Sequence, residues 1–396
     1  MSLGINAILY GIDRGSFEPL GAASLQQSQL LGQEQAVEGG IFLSDEWEIS
    51  PRLAANVGLR YNWYRYFGPQ SVYLYEAGQP KEPGTIVDSL SFGPWDNIQT
   101  YSGLDYRASL RFMLNEHASL KASVNQLHQY IFLLSNTIAL APSDKWKLTD
   151  YHLKPMVGQQ LSLGWYGSAL QKRLNLSVEG YYKRVENLVE FKDGAELLIN
   201  AQPEQDVLQG DLRAYGIEFM VKKPYGRLNG WVSYTFARSI VQVDGPTPDE
   251  QTNFGDPYPA NWDKPHALNL VSNYKFSRRL SLSGNLVYAT GRPATYPTAL
   301  YNQNSAQVIA FSTRNAYRIP DYWRVDLSLR IEGNFKAEKL IHGSWNISIY
   351  NLLGRNNAYS VFFKPNELGI SGYRVSIFAM PIFSIAYDFK LGNYAN

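Results

Sequence analysis

Apolar and polar residues alternate with a period of two along most of the chain. Within Leu174–Lys183 one parity is mainly apolar and the other mainly polar, and the same alternation recurs in Leu53–Tyr64, Leu104–Phe112 and Leu280–Tyr288. Successive side chains of a β-strand point to opposite faces of a sheet, so this period predicts strands with one apolar and one polar face. No segment of comparable length shows the apolar stripe of an amphipathic helix.

The alternation predicts an all-β fold of about fourteen strands. The predicted strand cores are Leu3–Ile12, Val37–Ile49, Leu53–Phe67, Tyr101–Leu114, Ala118–Tyr130, Val157–Tyr166, Leu174–Phe191, Asp211–Lys222, Leu228–Ile240, His266–Phe276, Leu280–Thr290, Tyr322–Ile331, Ser344–Leu353 and Tyr373–Lys390. Many of these strands exceed the ~5 to 6 residues that are usual in soluble proteins.

Short and long connections alternate between the predicted strands. Short links are Ser50–Arg52, Asn115–His117, Gly167–Arg173, Lys223–Arg227, Ser277–Arg279 and Glu332–Gly343, and long links are Asp13–Ala36, Gly68–Thr100, Ile131–Met156, Lys192–Gly210, Val241–Pro265, Gly291–Asp321 and Gly354–Gly372. Outer-membrane barrels have short periplasmic turns and long outer loops, so the alternation predicts an antiparallel up-and-down transmembrane β-barrel. A soluble β-sandwich or propeller is the alternative, because its strands are also amphipathic.

The polar parity of a membrane barrel would face a water-filled lumen. A charge such as that of Arg60 or Arg107 costs about 2 to 4 kcal/mol on the lipid side at mid-bilayer, which is enough to fix the register of each strand. Aromatic residues near the end of one strand predict an interfacial girdle. They are Tyr61, Trp63, Tyr64, Tyr66 and Phe67.

Composition narrows the partners and the chemistry. Lys+Arg 36 against Asp+Glu 35 leaves a net charge of +1, which argues against a nucleic-acid partner, and Cys 0 excludes disulfides and thiolate metal sites. The most apolar stretch, Tyr130–Leu140, is too short for a membrane helix. The chain starts without a signal-peptide pattern, and we expect one β-barrel domain over residues 1–396.

The sequence predicts no catalytic residue, metal site or cofactor. The five histidines lack metal-ligand spacing. One acidic loop, with Asp244, Asp249, Glu250 and Asp256, fits a solvated loop better than a calcium site. The aromatic residues of two long links are weak ligand-binding candidates, although packing between loops explains those in the first link equally well. These candidates are Tyr73, Tyr75, Trp95 and Trp262.

A family resemblance rests on five segments within Phe254–Leu391. In chain order they are Asn261–His266, Thr290–Pro293, Tyr317–Asp326, Ile349–Asn357 and Ser376–Phe389. With these segments the chain resembles the barrel of TonB-dependent outer-membrane receptors of the type found in Bacteroidetes. The resemblance implies a signal peptide, a TonB-contacting segment and a plug ahead of a 22-stranded barrel. The chain shows none of the first three, so we expect the C-terminal part of such a barrel, with closure at about fourteen strands as the alternative.

The resemblance implies nutrient uptake across the outer membrane of a Gram-negative bacterium, with the ligand bound by long outer loops and the lumen. The expected partners are outer-membrane lipid, the TonB complex acting through the plug, and a surface lipoprotein. The alternative function is a plugless passive pore or a surface-binding outer-membrane protein. Neither function makes the protein an enzyme.

Overall fold

The computed structural model describes residues 1–21, 24, 27–135, 145–171, 173–195, 197, 200–303, 306–333, 341–366 and 369–391. Fourteen strands form its main sheet: β1 Ser2–Asp13, β2 Gln33–Ser50, β3 Leu53–Phe67, β4 Asn97–Asn115, β5 Ala118–Gln129, β6 Met156–Ala169, β7 Leu174–Phe191, β8 Val207–Lys223, β9 Leu228–Gln242, β10 His266–Lys275, β11 Leu280–Ala289, β12 Tyr322–Glu332, β13 Ile341–Tyr350 and β14 Ile382–Leu391. Tyr258–Pro259 adds a short fifteenth strand beside β9.

Each main strand pairs antiparallel with the next one along the chain, from β1 to β14. The predicted all-β fold and up-and-down order are therefore confirmed. Among the described residues no ladder joins β1 to β14, so the sheet has two edges. Of the two arrangements that the sequence left open, closure at fourteen strands and an open sheet, the described residues form the open one.

The last predicted strand, Tyr373–Lys390, is wrong at its start. Gly369–Ser376 pairs instead with Ala358–Asn366 in a separate hairpin, and only Ile382–Leu391 joins the main sheet. Phe378 has a positive φ of 53° and Pro381 has no N–H to donate, so the ladder is interrupted between the two segments.

The long connections carry structure of their own. Their described residues contain six separate two-stranded antiparallel sheets. These sheets are Ser16–Phe17 with Gln29–Leu30, Gln70–Tyr75 with Ile86–Phe92, Ile131–Leu134 with Lys145–Leu148, Pro293–Ala294 with Tyr317–Arg318, Pro297–Gln303 with Ala306–Phe311, and Ala358–Asn366 with Gly369–Ser376. Four short 3-10 turns also lie in the described parts of these links: Pro83–Thr85, Pro203–Gln205, Pro248–Glu250 and Asn253–Gly255. No helix in the described ranges has the length and apolar character needed to cross a membrane.

The two faces of the sheet are inverted relative to a soluble protein. Apolar side chains of the outer face are exposed, with Leu161 at 59% and Leu163 at 62%. On the opposite, inner face, Asn62 and Asp105 are buried. A soluble sandwich would bury the apolar parity between its sheets, so this distribution contradicts the soluble alternative and fits an apolar face turned toward lipid.

A belt of polar contacts crosses the inner face from β2 to β5. Arg60 lies 3.8 Å from Glu38 and donates to Asn62 on its own strand. Asn62 Nδ2 donates to Asp105 at 2.5 Å, and His128 Nδ1 lies 2.5 Å from the other oxygen of Asp105. The polar side chains that the sequence pattern places on the lumen side thus form hydrogen bonds with one another across neighbouring strands.

The aromatic girdle predicted at the end of β3 is wrong for two of its five residues. Tyr64 and Tyr66 are 0% exposed and belong to an inner-face cluster with Ile98, Tyr130 and Leu148. Their parity is that of Asn62, so they point inward, beneath the hairpin of the β5–β6 loop. Most of the buried apolar residues lie in such clusters, at the long-loop end of the sheet.

Candidate ligand-binding site

The long loops contact one another across the inner face. Arg14 of the β1–β2 loop donates to the carbonyl of Asn200 in the β7–β8 loop. Lys81 of the β3–β4 loop lies 3.2 Å from Glu250 of the β9–β10 loop. Strands β2 and β7 are five steps apart, or ~24 Å along the sheet at about 4.8 Å per step. Such contacts therefore require the loops to lean inward over the mouth.

A buried ion cluster anchors the β5–β6 loop to the end of β2. Lys147 Nζ lies 2.9 Å from Glu34 and 2.6 Å from Asp150. Burial opposes the charge on Asp150, but Lys147 and the backbone N–H groups of His152 and Leu153 hold the pKa of this carboxyl below its usual range. Burial likewise opposes the charge on Lys147, but the two carboxylates raise its pKa. The cluster keeps its charges because each has a close partner.

Four loops line an open cavity of about 690 Å³ at this end of the sheet. Such a volume lies within the usual range for small-molecule sites. Its lining combines aromatic, cationic and amide side chains. They include Gln129, Phe132, Phe191, Lys192, Asn261, Trp262, Lys264, Arg292, Arg314 and Asn315.

Arg314 joins three of these loops. Its guanidinium lies 3.2 Å from Glu190 at the end of β7 and 2.5 Å from Asp193 just beyond it. Its backbone N–H donates to Asn253 Oδ1 at 2.7 Å, while Asn253 Nδ2 donates back to the Arg314 carbonyl at 3.1 Å. Burial opposes the charge of Arg314, but the hydrogen bond to Asp193 and the nearby anions raise its pKa. Arg314 is therefore charged and held in place.

An irregularity in β7 brings Glu190 to the cavity. The register with β8 shifts between Val185 and Leu188, and Asn187 has a φ of 57°. Asparagine tolerates this left-handed conformation, and its side-chain amide donates to the carbonyl of Pro155 at 3.0 Å. Because the bulge inserts an extra residue, Leu188 and Glu190 share the inner face with Val185.

Asp263 fixes the cavity wall beside Trp262. Its fully buried carboxylate accepts from Arg318, from Arg238 at 3.4 Å and from the backbone N–H of Ser239 at 2.6 Å. Arg318 also donates to the Asp263 carbonyl at 2.8 Å. Trp262 adjoins this joint along the chain and lines the cavity with 52% of its surface exposed.

Three cations of the cavity have no anionic partner among the described residues: no carboxylate there lies within 4 Å of Lys192, Lys264 or Arg292. Arg292 instead donates twice to the neutral carbonyl of Tyr359, at 3.2 and 3.0 Å. Burial lowers the pKa of Arg292 relative to a free guanidinium, but the ordinary value is so high that the group stays charged at neutral pH. Among the described residues, the cavity lining therefore carries more cationic than anionic side chains.

The four aromatic candidates from the sequence do not come together. Tyr75 donates to Glu204 at 3.1 Å and packs edge-on against His152, whose Nε2 lies 2.9 Å from the carbonyl of Tyr73. Trp95 packs against the ring of Phe67, with ring centroids 5.6 Å apart. Of the four, only Trp262 lines the cavity. Ligand binding at any of them stays a prediction.

The cationic residues of the cavity were not singled out from the sequence. Arg292 stands in the segment Thr290–Pro293, which carried the family resemblance, but nothing in that segment indicated a binding role. Lys192 and Arg314 stand in long links without a recognisable motif. The only available signal was the presence of basic residues in links predicted to lie at one end of the barrel.

The acidic loop and the histidines form no metal cluster in the described part of the chain. Glu250 pairs with Lys81, and Asp244 accepts from Gln251 at 3.0 Å. The histidines with described side-chain partners are separate: His128 lies at Asp105, His152 at Tyr73 and His266 at Tyr234.

Comparison with known proteins identifies the family. The family model described as TonB dependent receptor-like, beta-barrel matches residues 8–352. This match begins well before the segments that carried the resemblance and ends at residue 352, within the segment Ile349–Asn357. A ferric-pyoverdine receptor, PbuA, of a Pseudomonas species is 24% identical over 287 residues, covering 71% of this chain and 30% of that protein.

Solved structures share the fold at low identity. The siderophore receptor PiuA from Acinetobacter baumannii has a TM-score of 0.54 and 15% identity, covering 92% of this chain and 44% of that one. The ferric-catecholate import receptor Fiu from E. coli has a TM-score of 0.51 and 16% identity, covering 91% of this chain and 46% of that one. The chain thus spans less than half the length of these proteins.

The assignment to a Bacteroidetes type is untested and stays a prediction. The family itself is established, because its model spans most of the chain and the fourteen-stranded antiparallel sheet agrees with it. The chain belongs to the TonB-dependent receptor-like β-barrel family, whose members are outer-membrane receptors and transporters of Gram-negative bacteria and not enzymes.

Proposed function

We propose that this chain supplies the outer-loop ligand cavity of a TonB-dependent receptor, and that the ligand is an anionic complex of iron with a siderophore. The observation that carries the proposal is the charge of the cavity. Lys192, Lys264 and Arg292 line it without a described carboxylate within 4 Å. Lys264 is exposed, and Lys192 and Arg292 are half-buried. A bound anion would therefore meet three positive charges that no described carboxylate neutralises at close range.

The similar proteins supply the ligand class. PbuA is a ferric-pyoverdine receptor, PiuA a siderophore receptor and Fiu a ferric-catecholate import receptor. A siderophore complex with catecholate groups is both anionic and aromatic, which suits the cations beside Phe132, Phe191 and Trp262. Transport by the whole receptor would then draw on the TonB complex acting through a plug. A surface lipoprotein partner stays a prediction.

The alternative of a passive pore is less well supported. Contacts such as that of Arg14 with Asn200, and of Lys81 with Glu250, join loops over the mouth. Loops that contact one another over the mouth favour a ligand-binding surface, because they would obstruct the free passage of ions. Steady large-conductance openings of the full-length receptor in planar bilayers, without TonB, would favour the pore instead.

Uptake of radioactive iron supplied as a ferric tris-catecholate tests the proposal. The full-length receptor that contains this chain is produced in its own outer membrane, with Lys264→Gln and Arg292→Gln as cavity variants. The exposed loop residue Lys154 lies outside the cavity lining, so Lys154→Gln is the matched control. We expect each cavity variant to need about tenfold more of the iron complex for half-maximal uptake, which corresponds to ~1.4 kcal/mol of lost affinity, and the control to take up iron as wild type does. Equal uptake by all four proteins would overturn the proposal.

A further inference from the structure

Of the described residues that line the cavity, Glu190 alone carries a carboxylate. The cationic side chains of the same lining are those of Lys192, Lys264, Arg292 and Arg314. Arg314 Nη1 lies 3.2 Å from Glu190, whereas no described carboxylate lies within 4 Å of the other three cations. Glu190 is thus the counter-ion of one cavity cation and leaves the rest unpaired.

The ion pair of Glu190 and Arg314 is largely buried. The two side chains are 10% and 15% exposed. A carboxylate that is removed from water is costly unless a cation compensates it, and the guanidinium of Arg314 does so here. An anionic ligand that approaches Arg314 therefore meets a carboxylate that already occupies this guanidinium.

The main chain at Arg314 is fixed by hydrogen bonds that do not involve Glu190. The N–H of Arg314 donates to Asn253 Oδ1 at 2.7 Å, and its carbonyl accepts from Asn253 Nδ2 at 3.1 Å. The next residue, Asn315, donates through Nδ2 to Asn261 Oδ1 at 2.9 Å. The guanidinium stands at the end of a side chain with many rotamers. It can therefore change its partner while the backbone stays in place.

A second carboxylate, that of Asp193, contacts the same guanidinium from outside the cavity. It lies 2.5 Å from Arg314 Nη2, but its side chain is 82% exposed and it does not belong to the cavity lining. Water screens the charge of an exposed ion pair, whereas charges interact more strongly where water is excluded. Glu190 is therefore the carboxylate whose charge opposes an anion in the cavity.

We propose that Glu190 selects ligands by their charge: it occupies the guanidinium of Arg314 in the free receptor, and only a strongly anionic iron complex displaces it there. The inference rests on the proposed function and adds the residue that sets its charge selectivity. If Glu190 merely supported Arg314, its loss would weaken binding. A carboxylate that competes with the ligand has the opposite effect, because its loss leaves Arg314 free for the ligand.

The test compares Glu190→Gln with Asp193→Asn in the purified full-length receptor. Each substitution removes one carboxylate from Arg314 and keeps a side chain of nearly the same shape, so Asp193→Asn is the matched control. The probes are a ferric tris-catecholate, which is strongly anionic, and a ferric tris-hydroxamate, which is neutral. Affinity is measured for both probes, and thermal unfolding is measured for each protein.

We expect Glu190→Gln to bind the ferric tris-catecholate about tenfold more tightly than wild type and to bind the neutral complex no more tightly. Asp193→Asn should bind both probes within about twofold of wild type. Unchanged or weaker catecholate binding by Glu190→Gln, an equal gain for the neutral probe, or an equal gain in Asp193→Asn would overturn this inference.

A crystal structure of the wild-type receptor with the ferric tris-catecholate is a second test that needs no variant. We expect a ligand oxygen within hydrogen-bond distance of the Arg314 guanidinium, in place of Glu190. A guanidinium that is still paired with Glu190, with no ligand oxygen beside it, would overturn the inference. If Arg292→Gln binds the catecholate as wild type does, the proposed function itself fails. If Arg292→Gln weakens binding and Glu190→Gln does not strengthen it, only this inference fails.

Discussion

The guanidinium of Arg318 donates hydrogen bonds to both the carboxylate and the main-chain carbonyl of Asp263, a residue 55 positions earlier in the chain. The same guanidinium donates to the carbonyl of Gly291 at 3.0 Å. Three of the segments that carried the family resemblance therefore meet at one side chain. Because Trp262 precedes Asp263, this joint also sets the position of a cavity wall.

Loss of this joint should destabilise the outer end of the receptor. In Arg318→Gln the buried carboxylate of Asp263 keeps Arg238, at 3.4 Å, as its charged partner among the described residues. Removing one partner of a buried ion pair costs up to about 3 to 5 kcal/mol. Denaturant unfolding of the full-length receptor in lipid measures the change. Arg184→Gln is the control, because Arg184 pairs with Glu186 and Asp211 in solvent and such pairs contribute about 0 to 1 kcal/mol. Equal costs for the two variants would contradict the buried joint.

Gly291 should tolerate no side chain. A Cβ there would fall on the carbonyl oxygen of Ile319, which is backbone and cannot move aside cheaply. We expect Gly291→Ala to displace the β11–β12 loop and to reduce ligand affinity at least tenfold. Gly84→Ala, in another long loop with open space around the added Cβ, should bind as wild type. The prediction fails if the two variants have the same affinity.

Acid should weaken the ion cluster of Lys147 and Asp150. The pKa of Asp150 is lowered by folding, so its contribution is complete above the unfolded carboxyl value of about 3.9 and is lost as pH falls through the lower folded value. The pKa of Lys147 is raised, so its contribution is complete below about 10.4 and is lost as pH rises through the folded value. Thermal unfolding as a function of pH should show wild type losing more stability below about pH 4 than Asp150→Asn does. The exposed control Asp249→Asn should follow wild type, and parallel curves for wild type and Asp150→Asn would contradict this account.

The two faces of β6 should respond differently to a charge. Leu161 lies on the exposed apolar face near the middle of the strand, so Leu161→Arg should cost about 2 to 4 kcal/mol in lipid. Ser162 lies on the inner face and exchanges one hydrogen bond with Ser123 at 2.7 Å. Ser162→Arg should therefore cost only about 0.5 to 1.5 kcal/mol. Unfolding in lipid vesicles measures both values, and a larger cost for Ser162→Arg would mean that the faces are assigned the wrong way round.

The wall of the sheet could be predicted from the sequence because period two is a local signal. The predicted limits of Leu174–Phe191 coincide with β7, and those of Leu53–Phe67 with β3. The signal fails where a strand departs from simple alternation. Asn187 shifts the register of β7 and turns Glu190 inward, which no count of apolar positions shows.

The cavity could not be predicted, because its contacts join residues that are distant in the chain. Arg314 and Glu190 are 124 residues apart, and each stands in or beside a long link. The sequence indicates only that such links lie at the outer end of the barrel, because they are long. Their mutual contacts depend on hydrogen bonds such as those of Asn253, which have no periodic signature. For the same reason, aromatic content in the loops selected Tyr73, Tyr75 and Trp95, which lie outside the cavity lining.

The position of bound iron tests the central claim most directly. Crystals of the full-length receptor grown with a ferric tris-catecholate allow iron to be located by its anomalous scattering. The account predicts an iron peak inside the cavity bounded by Trp262, Arg292 and Arg314. An iron peak at another surface, or none at saturating ligand, would contradict it.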